Sequence, residues 1–126
     1  MSQSASQAAI FYRDVEISQK IWSIKDSDGF PSPITRNGAR AMPFWSSKSR
    51  AELIIKNVAA YKGFEPVEIT IDEFLSFLVQ LKIDNYLVGI NWSGKNAVGF
   101  DLNPENIIVW VNSFKPKHSI WGKFFK

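Results

Sequence analysis

The run Tyr86-Leu87-Val88-Gly89-Ile90-Asn91-Trp92-Ser93-Gly94-Lys95-Asn96-Ala97-Val98-Gly99-Phe100-Asp101-Leu102-Asn103-Pro104-Glu105 decides the fold class. Tyr86 to Trp92 and Ala97 to Leu102 are rich in β-branched and aromatic residues and read as two strands. The Gly and Asn of Ser93-Gly94-Lys95-Asn96 between them suit a compact hairpin loop. Asn103-Pro104-Glu105 then opens a helix with an N-cap, a first-position proline that has no amide to leave unpaired, and an acid at the positive end of the helix dipole. That helix continues through Ile107, Ile108 and Val111. A hairpin feeding a helix, in a chain with no internal repeat, is read as an α+β arrangement.

The segments upstream extend the same pattern. Thr70-Ile71-Asp72-Glu73 is a capping box, and Phe74, Leu75, Leu78 and Leu81 repeat at the spacing of a helix with one buried face, closed by Asp84-Asn85. Pro66 to Ile69 is a short strand. Ser46 and Ser47 are candidate N-caps and Ser49-Arg50-Ala51-Glu52 fits another capping box, so a helix is expected to about Tyr61, with Gly63 ending it. Ala51, Ile54, Ile55, Val58 and Ala59 would form its buried face. Ile21 to Ile24 reads as a strand followed by the turn Asp26-Ser27-Asp28-Gly29. Pro31 and Pro33 keep the next segment extended, and Asn37-Gly38 suggests a tight hairpin before a second arm, Ala41 to Trp45. Ala8, Phe11 and Val15 place a first helix from Ser4 to Ser18. The expectation is a single α+β domain with a mostly antiparallel sheet of about five to six short strands and about four helices packed on it, over residues 1–112. Residues 113–126 form a separate basic aromatic tail.

Composition narrows the chemistry. The chain has 126 residues, 45% hydrophobic and 21% charged, a length suited to one domain with one core. It contains no cysteine, which removes disulfides, thiol nucleophiles, zinc-thiolate sites and iron–sulfur clusters. The start of the chain lacks the basic and apolar regions of a secretory signal, and no stretch approaches the ~20 apolar residues of a membrane span, so a cytoplasmic location is expected. The formal charge is +3, but Lys115, Lys117, Lys123 and Lys126 stand in the tail without an acid beside them. The body is then close to neutral, which argues against a globally basic nucleic-acid surface.

Several motifs fail on inspection. Gly89 to Lys95 has the spacing of a phosphate-binding loop, but the following residue is Asn96 rather than Ser or Thr, and a strand follows instead of a helix. Ser93 lacks the flanking glycines of a nucleophile elbow. His118, the only histidine, lies in the tail with no orienting carboxylate. Asp26 to Gly29 resembles the start of a calcium loop, yet Pro31 and Asn37 occupy the positions that need Gly and Glu. Asp72 and Glu73 serve the dipole of their own helix. No catalytic set, metal site or cofactor is expected, and the protein is read as a non-enzyme.

Aromatic residues carry the remaining signal. Trp22, Trp45 and Trp92 all fall on or beside predicted strands and can meet around one patch, mostly as core, with part of it open to a protein partner. Trp45 and Trp92 are the candidate anchors, and Arg36, Arg40 and Lys95 the candidate rim. In the tail, Lys115, Lys117, Trp121 and Lys123 alternate basic and aromatic character. That segment is expected to dock on the domain, the alternative being nucleic-acid or anionic-surface contact.

Phe11-Tyr12-Arg13-Asp14-Val15, Ile21 to Asp26 with Gly29-Phe30-Pro31, Met42 to Glu52, and Val88 to Gly94 together resemble the bacterial domain-of-unknown-function family 2750. Pro43 to Glu52 and Asn91-Trp92-Ser93-Gly94 are the most specific parts. A more distant similarity connects the order of elements to the N-terminal domain of SseB-like proteins. The resemblance implies a small bacterial α+β domain and transfers no catalytic residue. By analogy at the level of fold, such domains resemble immunity proteins, so the expected function is protein binding, in its most concrete form occlusion of a cognate toxin's active site. Because the body is near neutral, capture of that partner should depend little on salt.

Overall fold

A computed structural model of the chain describes residues 3–114, with side chains from residue 8 onward. The order of elements is α1 (Gln3–Ser18), β1 (Ile21–Lys25), β2 (Ala41–Phe44), α2 (Lys48–Asn57), a 3-10 turn (Ala59–Tyr61), β3 (Glu65–Ile69), α3 (Ile71–Ile83), β4 (Leu87–Ser93), β5 (Val98–Leu102) and α4 (Pro104–Phe114). The class is α+β, as the sequence indicates, with five strands in two sheets. The helix expected from Asn103-Pro104-Glu105 carries on through Ser113 and Phe114. No helix of the described residues is long and apolar enough to cross a membrane.

Local chemistry accounts for most boundaries. At the start of α3, Thr70 Oγ1 accepts from Glu73 N at 3.1 Å and Glu73 Oε1 accepts from Thr70 N at 2.9 Å, so the capping box satisfies exposed amides in both directions. Asn85, with φ 60°, turns the chain out of that helix. Helix α2 starts one cap earlier than the Ser49 box suggests, on Ser47, whose hydroxyl accepts from Arg50 N at 3.3 Å. It also ends early. Val58 leaves the helix in an extended conformation, and the 3-10 turn that follows inserts Tyr61 into the core.

The sheets correct the hairpin expected at Asn37-Gly38. That segment is a local turn with one isolated bridge, Ile34 to Arg40, and β2 pairs instead with β4, in parallel. Proline explains why. Pro31 and Pro33 cannot donate to a ladder, so the chain before the turn has too few amides for a strand. The remaining ladders, β1 with β3 and β4 with β5, are antiparallel. One reciprocal pair joins the two sheets: Trp22 N donates to Trp45 O at 2.8 Å and Trp45 N to Trp22 O at 2.7 Å. The next such pair would need an amide at Pro43. Its absence ends the ladder, and the buried Ser23 hydroxyl donates to Pro43 O at 2.9 Å instead.

Strand alternation sends side chains to two faces. Met42, Phe44, Val88 and Ile90 enter a core with Phe11, Val15, Phe74, Leu78, Ile107 and Val111, covered by α1, α3 and α4. Ala41 and Trp45 enter a second core with Ile24, Ala51, Ile54, Val58 and Tyr61, covered by α2 and its 3-10 turn.

Candidate functional site

The site begins with a break in alternation. Val88 and Ile90 belong to the first core, so Trp92 should follow them, yet it lies in the second. The pairing of β4 with β5 slips between Ile90 and Ser93, and Asn91 sits at φ 47°. This bulge adds a residue to β4 and reverses the face on which the next side chain emerges. Asn91 tolerates the left-handed conformation better than most residues, and its amide holds it there. Oδ1 accepts from Ser46 N at 2.9 Å and Nδ2 donates to Ser46 Oγ at 3.1 Å, while Ser46 Oγ donates to Asp14 Oδ2 at 3.0 Å.

Two glycines make room for the displaced indole. A Cβ on Gly89 would stand 2.4 Å from the Trp92 ring, and one on Gly99 would stand 2.7 Å from both Trp92 Cδ1 and Ile90 O. Glycine at both positions lets Trp92 lie flat on the sheet, with Nε1 donating to Asp101 Oδ1 at 2.8 Å. Trp45 fixes the other side, since its Nε1 donates to Trp92 O at 2.8 Å.

A cleft of about 630 Å³ opens over this platform. Trp92, Val98, Gly99 and Asp101 come from the sheet, Val58 from the C-cap of α2, Ala60 and Tyr61 from the 3-10 turn after it, Ile34 and Arg36 from the proline-rich segment, and Asn96 and Ala97 from the hairpin loop. Its volume falls in the ordinary range of ligand sites. Burial pushes the Asp101 carboxyl above the usual range despite the opposing hydrogen bond from Trp92, and it pushes the Tyr61 hydroxyl up as well, so Tyr61 stays protonated at neutral pH. Ala97 in the wall has φ 50°, a conformation that costs a non-glycine residue about 1–2 kcal/mol.

The sequence-predicted residues divide around this cleft. Arg36 lines it. Lys95 is exposed on the hairpin loop beside the lining residue Asn96. Arg40 turns elsewhere, donating from Nη1 to Ser32 O at 2.8 Å. The two tryptophans read as projecting anchors are internal: Trp45 is 0% exposed and Trp92 is 4% exposed. Each indole N–H is taken up inside the domain, so neither ring projects to fill another protein's pocket. Trp22 is partly buried against the same core, which brings all three tryptophans to one face. Lys115, Lys117, Trp121 and Lys123, and with them the docking of the tail, lie outside the described residues, as does His118.

Asp101 and Tyr61 are the functional candidates that sequence reasoning missed. A single acid in a strand reads as solvent-facing, and Tyr61 reads as the last turn of an uninterrupted helix. The signals were present but faint: Gly99 two residues before Asp101, and the β-branched Val58 before Ala59-Ala60-Tyr61.

The fold places the two most specific sequence segments against each other. Trp45 and Ser46 from one meet Asn91 and Trp92 from the other through the three hydrogen bonds given above. No curated protein matches the chain. A family model does match, covering residues 8–109 and therefore every strand, the cleft, the second core and all of the first core's named residues except Val111; the chain belongs to the family described as protein of unknown function, DUF2750.

Proposed function

We propose that the protein is a non-enzymatic protein-binding domain that seats a projecting segment of its partner in the cleft above Trp92. The observation that carries this reading is the shape and lining of the cleft. Its walls mix apolar side chains such as Val58, Ala60 and Trp92 with polar ones such as Asn96 and Asp101, and apolar surface stands on the rim, where Ile34 is 62% and Val98 50% exposed. Ile34 is bridged to Arg40 and Val98 is paired with Ser93 at the start of β5, so the groove between them is preformed. Among the described residues the lining carries one carboxylate, Asp101, and one cation, Arg36. A guanidinium does not exchange its proton near neutral pH, so it gives the carboxylate no acid–base partner, and this pair suits binding better.

In its most concrete form the partner is a cognate bacterial toxin. A concave surface receives, so occlusion here would proceed by gripping a projecting loop of the toxin and holding the domain across its active site. Co-expression with the product of the adjacent gene tests both levels. Rescue of growth and a stable complex, both lost in Ile34→Asp, are expected. Absence of rescue removes the toxin form, and a complex indifferent to Ile34→Asp removes the cleft as the contact.

A further inference from the structure

Shape and apolar packing do not account for Asp101. Among the described residues its carboxylate accepts one hydrogen bond, from Trp92 Nε1 to Oδ1. An asparagine could accept that bond too, though more weakly, and would bury no charge. The surroundings disfavour the ionised form, since burial raises the proton affinity of the carboxyl. No cation of the described residues offsets this: the ion pairs are Arg13 with Asp14, Lys20 with Glu68, and Lys82 with Glu105. Among those residues Oδ2 of Asp101 has no donor. The carboxylate is therefore half-desolvated, held in place by an indole, and left with one acceptor oxygen in a cleft.

The backbone around it carries strain. Asn91 and Ala97, on the two sides of the Trp92 platform, both have positive φ, at 47° and 50°. Such conformations persist where the surrounding structure over-determines them, and they gather at ligand sites. Here bulge, glycine cradle and strained turn converge on one result, which is the placement of Trp92 and, through it, of Asp101. The construction exceeds what packing needs.

We infer that the cleft is the seat of an arginine presented on a loop of a protein partner, with the guanidinium on Asp101 Oδ2 and the alkyl stem along the apolar wall of Val58, Tyr61 and Trp92. Charge complementarity selects the cation. Arginine suits the site better than lysine because its guanidinium is more weakly hydrated and pairs with aromatic surface, so it loses less on entering a half-buried cleft. Arg36, the other charged side chain of the lining, is exposed at the mouth, where water screens its repulsion and where it can meet an acid flanking the arginine. This inference deepens the protein-binding reading and rests on it.

The test uses the full chain and small probes, so that it does not depend on finding the partner. The Trp92 indole N–H, bonded to Asp101, is an NMR reporter at the site. Titration with acetyl-arginine amide should shift that resonance saturably, and acetyl-citrulline amide, which has the same shape without the charge, should bind at least about tenfold more weakly, the ratio expected when one charged hydrogen bond is lost. Asp101→Asn should reduce the arginine response by a similar factor while the other amide signals keep their positions. A second measurement needs no variant. Arginine binding to the unaltered protein should weaken as pH falls through the raised titration of Asp101; of the other lining groups, arginine keeps its charge and the Tyr61 hydroxyl is already protonated. Equal response to the two probes, no saturable shift, or undiminished binding in Asp101→Asn would overturn the inference. If those results came with a partner complex that still required Ile34, the protein-binding reading would stand without its arginine.

Discussion

The two faces of the sheet hold cores of different character. Beneath α1, α3 and α4, Phe11, Phe44 and Phe74 pack ring against ring, with Phe44 and Phe74 centroids 4.9 Å apart at 71°. The buried side chains of that core are all apolar. Beneath α2, the core is threaded with polar bonds: Trp45 to Trp92, Trp92 to Asp101, and Asn91 to Ser46. It also contains the bulge, the two glycines under the indole and the positive φ angles of Asn91 and Ala97. The difference is one of purpose. Apolar packing is non-directional and stabilises whatever buries enough surface, whereas hydrogen bonds and backbone strain specify where one group stands. The first core stabilises the domain, and the second positions a platform.

Substitutions can break or sharpen this contrast. The largest effect is expected from Phe74→Ala in the first core, with a loss of about 3–5 kcal/mol in denaturant unfolding, the usual range for a large aromatic truncated at a fully buried site. Next comes Asn91→Ala in the second core. It leaves Ser46 N without its acceptor and puts alanine in a left-handed conformation, for a loss of about 2–3 kcal/mol. This variant should also move the Trp92 indole resonance strongly, whereas Phe74→Ala should not, which separates the two roles. Ala97→Gly should do the reverse of a normal glycine substitution and stabilise the domain by up to about 1 kcal/mol, because φ 50° is strained for alanine and free for glycine.

The smallest effect belongs to Asp101→Asn, and its sign is informative. The folded-state carboxyl is raised above its ordinary value, so its contribution to stability is present at low pH and is lost as pH rises through the folded titration. At neutral pH the variant should match or slightly exceed the original protein in stability. As pH falls through that range, the original protein should gain on the variant. Urea unfolding across a pH series checks both, and a carboxylate that proves stabilising at neutral pH would place Asp101 among the structural residues.

The first core was the more legible in sequence. Thr70-Ile71-Asp72-Glu73 with Phe74, Leu78 and Leu81 specifies a helix, its start and its buried face through local chemistry alone, and the structure reproduces it. The proline-rich stretch before Ala41 was misread because a turn signal such as Asn37-Gly38 describes a local bend and carries no information about which strand the next segment joins. The parallel partner of β2 lies more than forty residues along the chain in β4. The candidate site was the least legible part. Trp92 and Arg36, named together from the sequence, line the same cleft, but the burial of Trp92 and the place of Asp101 depend on the bulge at Asn91.

The amino-acid order by itself determined the class of fold, the capped helices and the hairpin of β4 with β5, because these follow from spacing, capping and turn chemistry within a few residues. Tertiary structure alone decided which face Trp92 occupies, that Trp45 is internal, and that Asp101 stands in a cleft. The reason is geometric. A strand alternates with period two, so one extra residue with positive φ reverses every assignment beyond it, and whether that residue is accommodated depends on Gly89, Gly99 and Ser46, which local spacing does not connect.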